Sequence, residues 1–506
     1  MPSKIFSAEL EGIQAKLVEV EVDLNVGLHV FNIVGLADKA VNEAKERVNS
    51  ALKNLGVKSP NRENRRITVN LAPAQIKKNG THYDLPIAIG YLLATKQISQ
   101  NDFSKIIFAG ELSLDGRLRP IDGALNIAEM AGENDFDFLI LPSENANEAS
   151  AVSTVKIIPA ENLKDVLDFL EGSKEILPHQ FHERNLSDGN FSDFSEIKGQ
   201  FQAKRAAIIS AAGGHNLLMV GPPGSGKSMI AKSLAGILPA LTREESIEIT
   251  KIYSASGMRS GGLIAHRPVR APHQTASLIS VVGGGPQPRP GEASLAHRGI
   301  LFLDELPEFP RSILEALRSP IEDGVINISR VKSSLTFPAK FSLVAAMNPC
   351  PCGYYGDPEK ECRCGAYDVI RYQKKVSGPL LDRIDLQVKV NRAKVSELRA
   401  EDKAAKSESE TIRGWVENAR AIQKERFAGM GISTNSEMSS KQTETLAEIG
   451  EDANKFLDSL DKTKISPRGY FRLVKTARTI ADLESSKKIS ADHLAEAWTF
   501  RFKEEV

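Results

Sequence analysis

The chain has 506 residues, and its 65 Lys and Arg residues balance its 65 Asp and Glu residues, so the formal net charge is zero. Such a length predicts about three domains. The balanced charge excludes a basic field over the whole surface, so any contact with nucleic acid must be local. No apolar run approaches the roughly 18 residues that span a bilayer, and the first residues lack the hydrophobic core of a secretory signal. We therefore expect a cytoplasmic protein with no membrane segment.

Residues 1–171 alternate short β-rich runs with helical stretches, which predicts a mixed α/β domain. The runs Ala15–Val22 and Arg66–Leu71 are typical of strands, and Asp38–Leu55 is typical of a helix. Residues 172–192 are instead rich in Ser, Asp, Asn and His and show little apolar periodicity. This second stretch predicts a linker.

A glycine-rich loop follows the apolar run Leu217–Val220 in the next module, residues 193–395. The loop consists of Gly221, Pro222, Pro223, Gly224, Ser225, Gly226, Lys227 and Ser228. A strand, a tight turn and a helix start in this order aim backbone N–H groups at phosphate oxygens. Lys227 would reach the β/γ-phosphates, and the Ser228 hydroxyl would bind Mg²⁺. The context favours a site for a nucleoside triphosphate over a glycine turn without a ligand.

The segment 251–300 is basic. A single acid, Glu292, accompanies its six cations, which are Lys251, Arg259, Arg267, Arg270, Arg289 and Arg298. The glycine run within Val281–Pro286 predicts flexibility. A flexible basic insertion suits sequence-independent contact with DNA phosphates, for which Arg267, Arg270 and Arg289 are the candidates. The alternative is a solvated loop that packs against a neighbour.

Two acids, Asp304 and Glu305, follow the apolar strand that begins at Gly299. Asp304 can hold the Mg²⁺ shell, and Glu305 is placed to polarise an attacking water. Adjacent acids are usually only a solvated strand end, but the upstream lysine loop makes ATP hydrolysis the better interpretation. Asn348 ends another apolar strand, Leu343–Met347, and is suited to orient the water. Taken alone, an Asn before Pro is more often a turn residue.

Ile328–Ser334 predicts a hairpin tip before the strand that ends at Asn348. Its Arg330 and Lys332 form a second candidate for DNA contact.

Further along, Arg383 lies between acids after a Gly-Pro breaker, and Arg468 opens a late helical stretch. Either arginine could simply be an ion-pair partner.

All four cysteines lie in the loop 350–364, as Cys350, Cys352, Cys362 and Cys364. A cytoplasmic chain has little use for stable disulfides, and four clustered thiolates can close a tetrahedral Zn²⁺ site. The C-x-C spacing is tighter than the usual C-x-x-C, so a reduced or redox-labile loop is the alternative.

From residue 396 to residue 506 helix formers dominate, which predicts a helical lid.

The order of these motifs resembles the AAA+ ATPases. Within them, the phrases Gly213-Gly-His-Asn216, Pro290–Arg298 and Asn348-Pro-Cys-Pro-Cys-Gly353 are similar to magnesium-chelatase-like AAA+ proteins, and nearly the whole chain resembles the bacterial ComM/YifB competence family. The resemblance implies Asn348 as sensor 1, Arg468 as sensor 2, and Arg383 as an arginine finger given to a neighbouring subunit in a ring, with a hexamer expected. It also implies ATP and Mg²⁺ as ligands.

The segments Tyr83–Gly90 and Gly110–Gly123 are similar to those that carry the Ser-Lys dyad of Lon-type peptidases. The nucleophile position falls on Ile87 and the lysine position near Leu125, so acyl transfer has no chemical basis here. The implied fold class is therefore α/β, with a Lon-like domain at 1–171, an AAA+ module at 193–395 and a helical lid at 396–506.

For the ComM/YifB family, the implied activity is ATP-driven movement on single-stranded or branched DNA, with branch migration of recombination intermediates during natural transformation. The alternative is a chelatase-type ATPase that remodels a protein partner. The response of ATP hydrolysis to DNA distinguishes the two.

Overall fold

The computed structural model describes residues 2–62, 64–99, 101–152, 154–183, 191–258, 261–329, 334–393, 407–460 and 465–501. The chain forms two compact units. One comprises Met1–Asn185 and Arg243–Ile264, and the other comprises Leu186–Thr242 and Ala265–Val506. The segment 243–264 thus belongs to the first unit, although the predicted module 193–395 includes it. No helix in these described ranges is long and apolar enough to cross a membrane.

The first unit is built on a mixed sheet. Its strands are β1 (Ser3–Glu11), β2 (Gln14–Val26), β3 (Val30–Val34), β4 (Arg65–Ala72), β5 (Ile106–Phe108), β6 (Glu111–Leu112), β7 (Leu118–Arg119), β8 (Phe138–Pro142) and β9 (Lys156–Ala160). The main sheet has the order β3-β4-β2-β1-β5-β8-β9, and β6 pairs with β7 separately. Alternate side chains of β2, such as Val18, Val20 and Val22, are fully buried, as expected for a strand with one face on the core.

Helices complete the first unit. They are α1 (Lys39–Asn54), α2 (Asp84–Ala94), α3 (Ala124–Glu133), α4 (Ser143–Ala149), α5 (Leu163–Leu170) and α8 (Arg243–Ala255). The N-cap Asp38 of α1 accepts a hydrogen bond from the Val41 N–H, and Val41, Ala44 and Val48 recur at helical spacing on the buried face. Ile87 in α2 and Leu125 in α3, which the resemblance to Lon-type peptidases sets at or near the positions of the dyad, are fully buried.

The helix α8 is fastened to α3 within the first unit. Lys251 Nζ lies 2.5 Å from Glu129 Oε2, and Asn126 Nδ2 donates to the Lys251 carbonyl at 3.2 Å. The Gly123 N–H, just before α3, donates to the Ser254 carbonyl at 3.1 Å. Lys251, counted above among the basic residues of the insertion, is therefore an ion-pair partner in the first unit.

The second unit contains a parallel sheet. The strands of this unit are β10 (Leu217–Val220), β11 (Val269–Arg270), β12 (Gly283–Gly284), β13 (Arg289–Pro290), β14 (Ile300–Leu303), β15 (Val325–Ser329), β16 (Ser334–Pro338), β17 (Ser342–Met347) and β18 (Leu386–Lys389). The sheet order is β11-β14-β17-β10-β18. Val220 is opposite Met347 and Leu303 is opposite Ala345, so the loops after β10, β14 and β17 emerge at one edge. Their buried apolar residues agree with the predicted strands.

Helices surround this sheet and form the C-terminal region. They are α6 (Phe201–Gly213), α7 (Lys227–Leu234), α9 (Leu278–Val282), α10 (Glu292–Leu295), α11 (Arg311–Ala316), α12 (Arg318–Asp323), α13 (Ala366–Gln373), α14 (Gly378–Leu381), α15 (Glu408–Arg426), α16 (Ser440–Leu446), α17 (Glu451–Ser459), α18 (Pro467–Leu483) and α19 (Ala491–Thr499). Ser407, Ser439, Ser466 and Ser490 each cap a C-terminal helix by accepting a backbone N–H. The predicted α/β module followed by a helical region is confirmed.

Candidate nucleotide site

The glycine-rich loop joins β10 to α7, as the sequence predicts. Gly226 has a φ of 89°, a left-handed conformation that favours glycine, and α7 begins at the next residue, Lys227. Gly221 is needed for a different reason, because a Cβ there would lie 2.0 Å from the Val390 carbonyl oxygen. The loop can therefore turn tightly beside β18 and present backbone N–H groups at the start of the helix.

Lys227 is buried inside this loop. Its Nζ donates to the carbonyl oxygens of Gly221 at 2.7 Å and Pro222 at 2.9 Å, and to Asn348 Oδ1 at 3.3 Å. Burial lowers the pKa of Lys227, while the nearby Asp304 and Glu305 carboxylates act in the opposite direction. These contacts hold the ammonium between the loop and the end of β17.

Ser228 and Asp304 meet across the site. Ser228 Oγ donates to Asp304 Oδ2 at 2.7 Å, and the Glu305 N–H donates to Asp304 Oδ1 at 3.0 Å. A hydroxyl and a carboxylate in contact are the oxygen ligands that Mg²⁺ takes when a nucleotide supplies the phosphates. The donor set therefore fits the magnesium ion that the motifs imply.

These side chains line one cleft of about 430 Å³. The lining residues are Pro223, Gly224, Ser225, Gly226, Lys227, Ser228, Met229, Asp304, Glu305, Met347 and Asn348. Its size falls in the range of small-ligand pockets. The fold thus brings together residues from three separate motifs, because the parallel strands that carry them end at the same edge.

Arg383 and Arg468 are not among the residues that line the cleft. Both guanidinium groups instead contact one carboxylate, Glu322 in α12, with Arg468 Nη2 at 2.6 Å from Glu322 Oε1. Arg383 is largely buried and also donates to the carbonyls of Arg318 and Pro379. No motif singles out Glu322, which lies in an ordinary helical stretch and is joined to the two arginines only by the fold.

Asn216, in the phrase before β10, connects three parts of the unit. Its N–H donates to Asp385 Oδ2 at 3.0 Å, its Nδ2 donates to the Arg383 carbonyl at 2.9 Å, and its Oδ1 accepts the Leu343 N–H at 2.8 Å. Burial acts to raise the pKa of Asp385, but Arg472 and the other partners hold it well below its usual range. Asn216 therefore connects the start of β10 to β17 and to the turn that contains Arg383. Asn216 lies in a family motif, but the motif alone does not predict this structural role.

The four cysteines converge. Cys350 Sγ lies 3.4 Å from Cys352 Sγ and 3.6 Å from Cys362 Sγ, and the ligand atoms of all four residues lie within 4.8 Å of one another. With Zn–S bonds of about 2.3 Å, two sulfurs of a tetrahedral site would lie roughly 3.8 Å apart. The cluster fits zinc in both its ligand type and its dimensions.

The candidates for DNA contact differ in their surroundings. Arg267 donates to the carbonyls of Pro239 and Arg298, each at 2.8 Å, and Arg270 forms a two-bond ion pair with Glu292. These two arginines have structural partners within the unit, which the charge pattern did not indicate. Arg289 is exposed on β13.

The predicted hairpin is confirmed on either side of its tip, with Ser329 opposite Ser334. The tip residues Arg330 and Lys332 lie outside the described residues, as does Arg259 of the basic insertion. A Cβ on Gly284 in β12 would lie 3.7 Å from Ile328 Cδ1 in β15, so the two hairpins that carry the candidates are neighbours.

Comparisons with known proteins agree with this architecture. Models of the magnesium chelatase subunit ChlI match residues 193–398 and 20–145, and a model of the ChlI C-terminal region matches residues 406–501. The competence protein ComM of Haemophilus influenzae is 43% identical over 98% of this chain and 97% of its own length. The uncharacterized protein YifB of Escherichia coli is 40% identical over 97% of this chain and 95% of its own length.

The chain belongs to the ComM/YifB family of magnesium-chelatase-like AAA+ proteins. A magnesium-chelatase 38 kDa subunit from Cereibacter sphaeroides is more distant, at 27% identity over 31% of this chain and 52% of its own length. Membership of an AAA+ family implies ATPase activity with ATP and Mg²⁺. The cleft described above contains the residue types that this chemistry requires.

Proposed function

We propose that this member of the ComM/YifB family is a ring-forming, hexameric motor that hydrolyses ATP to move on DNA and drives branch migration of recombination intermediates. The observation that carries the proposal is the combination, in one unit, of a phosphate-binding cleft and two neighbouring hairpins with basic candidates. The name of the Haemophilus relative, a competence protein, supports natural transformation as the process in which the motor works.

In this proposal, different residues of the cleft have different roles in ATP hydrolysis. Lys227 and the loop N–H groups bind the phosphates, while Ser228 and Asp304 would hold Mg²⁺, which would supply charge neutralisation. Glu305 accepts a proton from the attacking water, and Asn348, 3.3 Å from Lys227, orients that water as sensor 1.

The positions of the two arginines support the proposed ring. Arg383 and Arg468 share Glu322 and are absent from the residues that line the chain's own cleft. We propose that Arg383 acts as a finger on the nucleotide of the neighbouring subunit, with Arg468 as sensor 2. A closed ring supplies each cleft with such a neighbour.

DNA contact is proposed through the two neighbouring hairpins. Arg289 on β13, with Arg330 and Lys332 at the tip between β15 and β16, would track phosphates without reading sequence. Arg267 and Arg270 contribute by holding the insertion in place, since both are bound within the unit.

The remaining assignments concern the cysteine loop and the first unit. We propose that Cys350, Cys352, Cys362 and Cys364 hold a structural Zn²⁺ ion. We also propose that the first unit has no peptidase activity, because the resemblance to Lon-type peptidases places the nucleophile position on Ile87 and the lysine position near Leu125, and both of these residues are apolar and buried.

The test is the ATPase rate with and without DNA. A DNA motor should be stimulated by single-stranded or branched DNA, and its DNA affinity should fall with salt because phosphate contacts release counterions. A rate that does not change with single-stranded, duplex or branched DNA, for an assembled ring in Mg²⁺ and ATP, would contradict the proposal. That result would favour a chelatase-type remodeller of a protein partner.

A further inference from the structure

The cysteine loop packs directly against the phosphate-binding loop. Gly353, one residue after Cys352, has a φ of 85°, and a Cβ on it would lie 2.5 Å from Pro223 Cδ and 3.9 Å from Asn348 Cγ. Pro223 and Asn348 both line the nucleotide cleft. The approach is so close that a side chain at position 353 would force the two loops apart.

The backbone around Gly353 is held by the cysteine cluster. The Gly353 N–H donates to the Cys350 carbonyl at 3.0 Å, and the Tyr355 N–H donates to Cys350 Sγ at 3.3 Å. Cys350 is itself buried. Cys350 therefore contacts the backbone at Gly353 through its carbonyl and at Tyr355 through its sulfur.

The same loop continues from Asn348 without a break. Gln373 Nε2 in α13 donates to the Pro349 carbonyl at 3.1 Å, between Asn348 and the first cysteine. Asn348 Oδ1 in turn accepts from Lys227 Nζ at 3.3 Å. Two short connections thus lead from the cluster to the cleft, one through Gly353 to Pro223 and one through Pro349 to Asn348.

We propose that the metal-bound cysteine cluster positions the ATP site, so that occupancy of the four thiolates by Zn²⁺ controls nucleotide affinity and turnover. The inference rests on the proposed zinc site and on the ATPase activity implied by the family, but not on movement along DNA. Gly353 is its positioning residue, since it transmits the arrangement of the sulfurs to Pro223.

The first experiment separates the contact from the metal. Gly353→Ala should retain about one Zn per chain by elemental analysis. Its DNA-free turnover should fall roughly ten- to a hundredfold, because ångström-scale misplacement of reacting groups costs about that much in rate, and its affinity for a fluorescent ATP analogue should fall as well. Gly356→Ala is the matched control, because Gly356 also has a positive φ, of 72°, but has nothing within 4 Å of its Cβ position. Equal effects of the two changes, or parental behaviour of Gly353→Ala, would overturn the inference.

The second experiment uses the unmodified chain and does not depend on a variant that folds. A zinc-selective chelator in excess Mg²⁺ should lower nucleotide affinity and turnover in proportion to the Zn removed, and added Zn²⁺ should restore both. Protein with almost no Zn that binds and hydrolyses ATP at the parental level would overturn the proposal. All rates are measured without DNA, so a chain that fails to respond to DNA leaves this test intact.

Discussion

Glu305 combines an unusual backbone with a central place in the cleft. Its φ of 53° lies in the left-handed region, which side chains other than Asn and Asp rarely adopt. A short turn, Leu306–Glu308, begins directly after it. Such conformations persist only where surrounding contacts over-determine them, and they are concentrated at functional sites. The adjacent Asp304 and Glu305 are therefore more specifically held than a solvated strand end would need.

Glu305→Gln should preserve nucleotide binding but lower the turnover number by about 10²–10⁴, because the water loses its proton acceptor while Lys227 and Ser228 still hold phosphate. Steady-state hydrolysis and equilibrium binding of ATP, measured on the same preparation, check both parts. The control is Glu308→Gln in the same turn, where the carboxylate instead pairs with Lys375 at 3.1 Å. Hydrolysis at the parental rate by Glu305→Gln would show that another group is the base.

At the scale of elements, none of the described residues in the two hairpins with basic candidates lines the nucleotide cleft. The hairpin of β12 and β13 carries Arg289 and lies beside the hairpin of β15 and β16 through Gly284 and Ile328. Each hairpin also precedes a strand that leads to the cleft, since β14 follows the first hairpin and β17 follows the second. Both hairpins are therefore close in the chain to the strands that end at Asp304 and Asn348.

Arg289→Ala should reduce the stimulation of ATP hydrolysis by DNA and leave the rate without DNA nearly unchanged, because Arg289 is exposed and outside the cleft. It should also make the plot of log affinity against log salt concentration less steep. The expected change in slope corresponds to about one lost phosphate contact for each subunit that touches DNA. Unchanged stimulation and slope would remove Arg289 from the DNA interface.

The comparison variant is Arg270→Ala, which removes the two-bond partner of Glu292. It should destabilise the unit by about 1–3 kcal/mol, because a partly buried carboxylate loses its hydrogen bonds. Thermal unfolding measures this effect. If Arg270→Ala had parental stability but its ATP hydrolysis were no longer stimulated by DNA, Arg270 would be assigned to DNA contact, as the sequence first suggested.

At the scale of the whole molecule, neither unit is formed by one continuous stretch of the chain. The chain passes from the second unit into the first at Arg243 and returns at Ala265, between the phosphate-binding loop and the acids. The segment is fastened by Lys251 to Glu129 and by Ser254 to Gly123. The first unit is therefore joined to the second at three points along the chain.

Assembly can be tested by mixing subunits. Arg383→Ala alone should lower turnover by 10³-fold or more, on the order of 4 kcal/mol, because the finger acts on the neighbour's nucleotide. Mixing Arg383→Ala with Glu305→Gln subunits should restore part of the activity at interfaces that combine intact Glu305 with intact Arg383. Full activity of a strictly monomeric preparation, or no recovery on mixing in rings that contain both subunits, would contradict a finger supplied by a neighbour.

Much of the nucleotide site could be predicted because each of its motifs is local. The turn at Gly221–Ser228, the pair Asp304 and Glu305, and Asn348 are each defined by a strand and the residues directly after it. Parallel strands then bring these ends to one edge, a general rule that needs no knowledge of this particular fold. The cluster of four cysteines was predictable for the same reason, since all of them lie in one short loop.

The sequence by itself determined the family, the α/β class, the order of the motifs and the cleft residues, because these depend on neighbours in the chain. Only the tertiary structure placed Arg383 and Arg468 on Glu322, although Arg468 and Glu322 are 146 positions apart. It also gave Arg270 its partner, assigned 243–264 to the first unit and set Gly353 against Pro223. Ion pairs and close approaches depend on which surfaces the fold brings together, and composition and spacing do not contain that information.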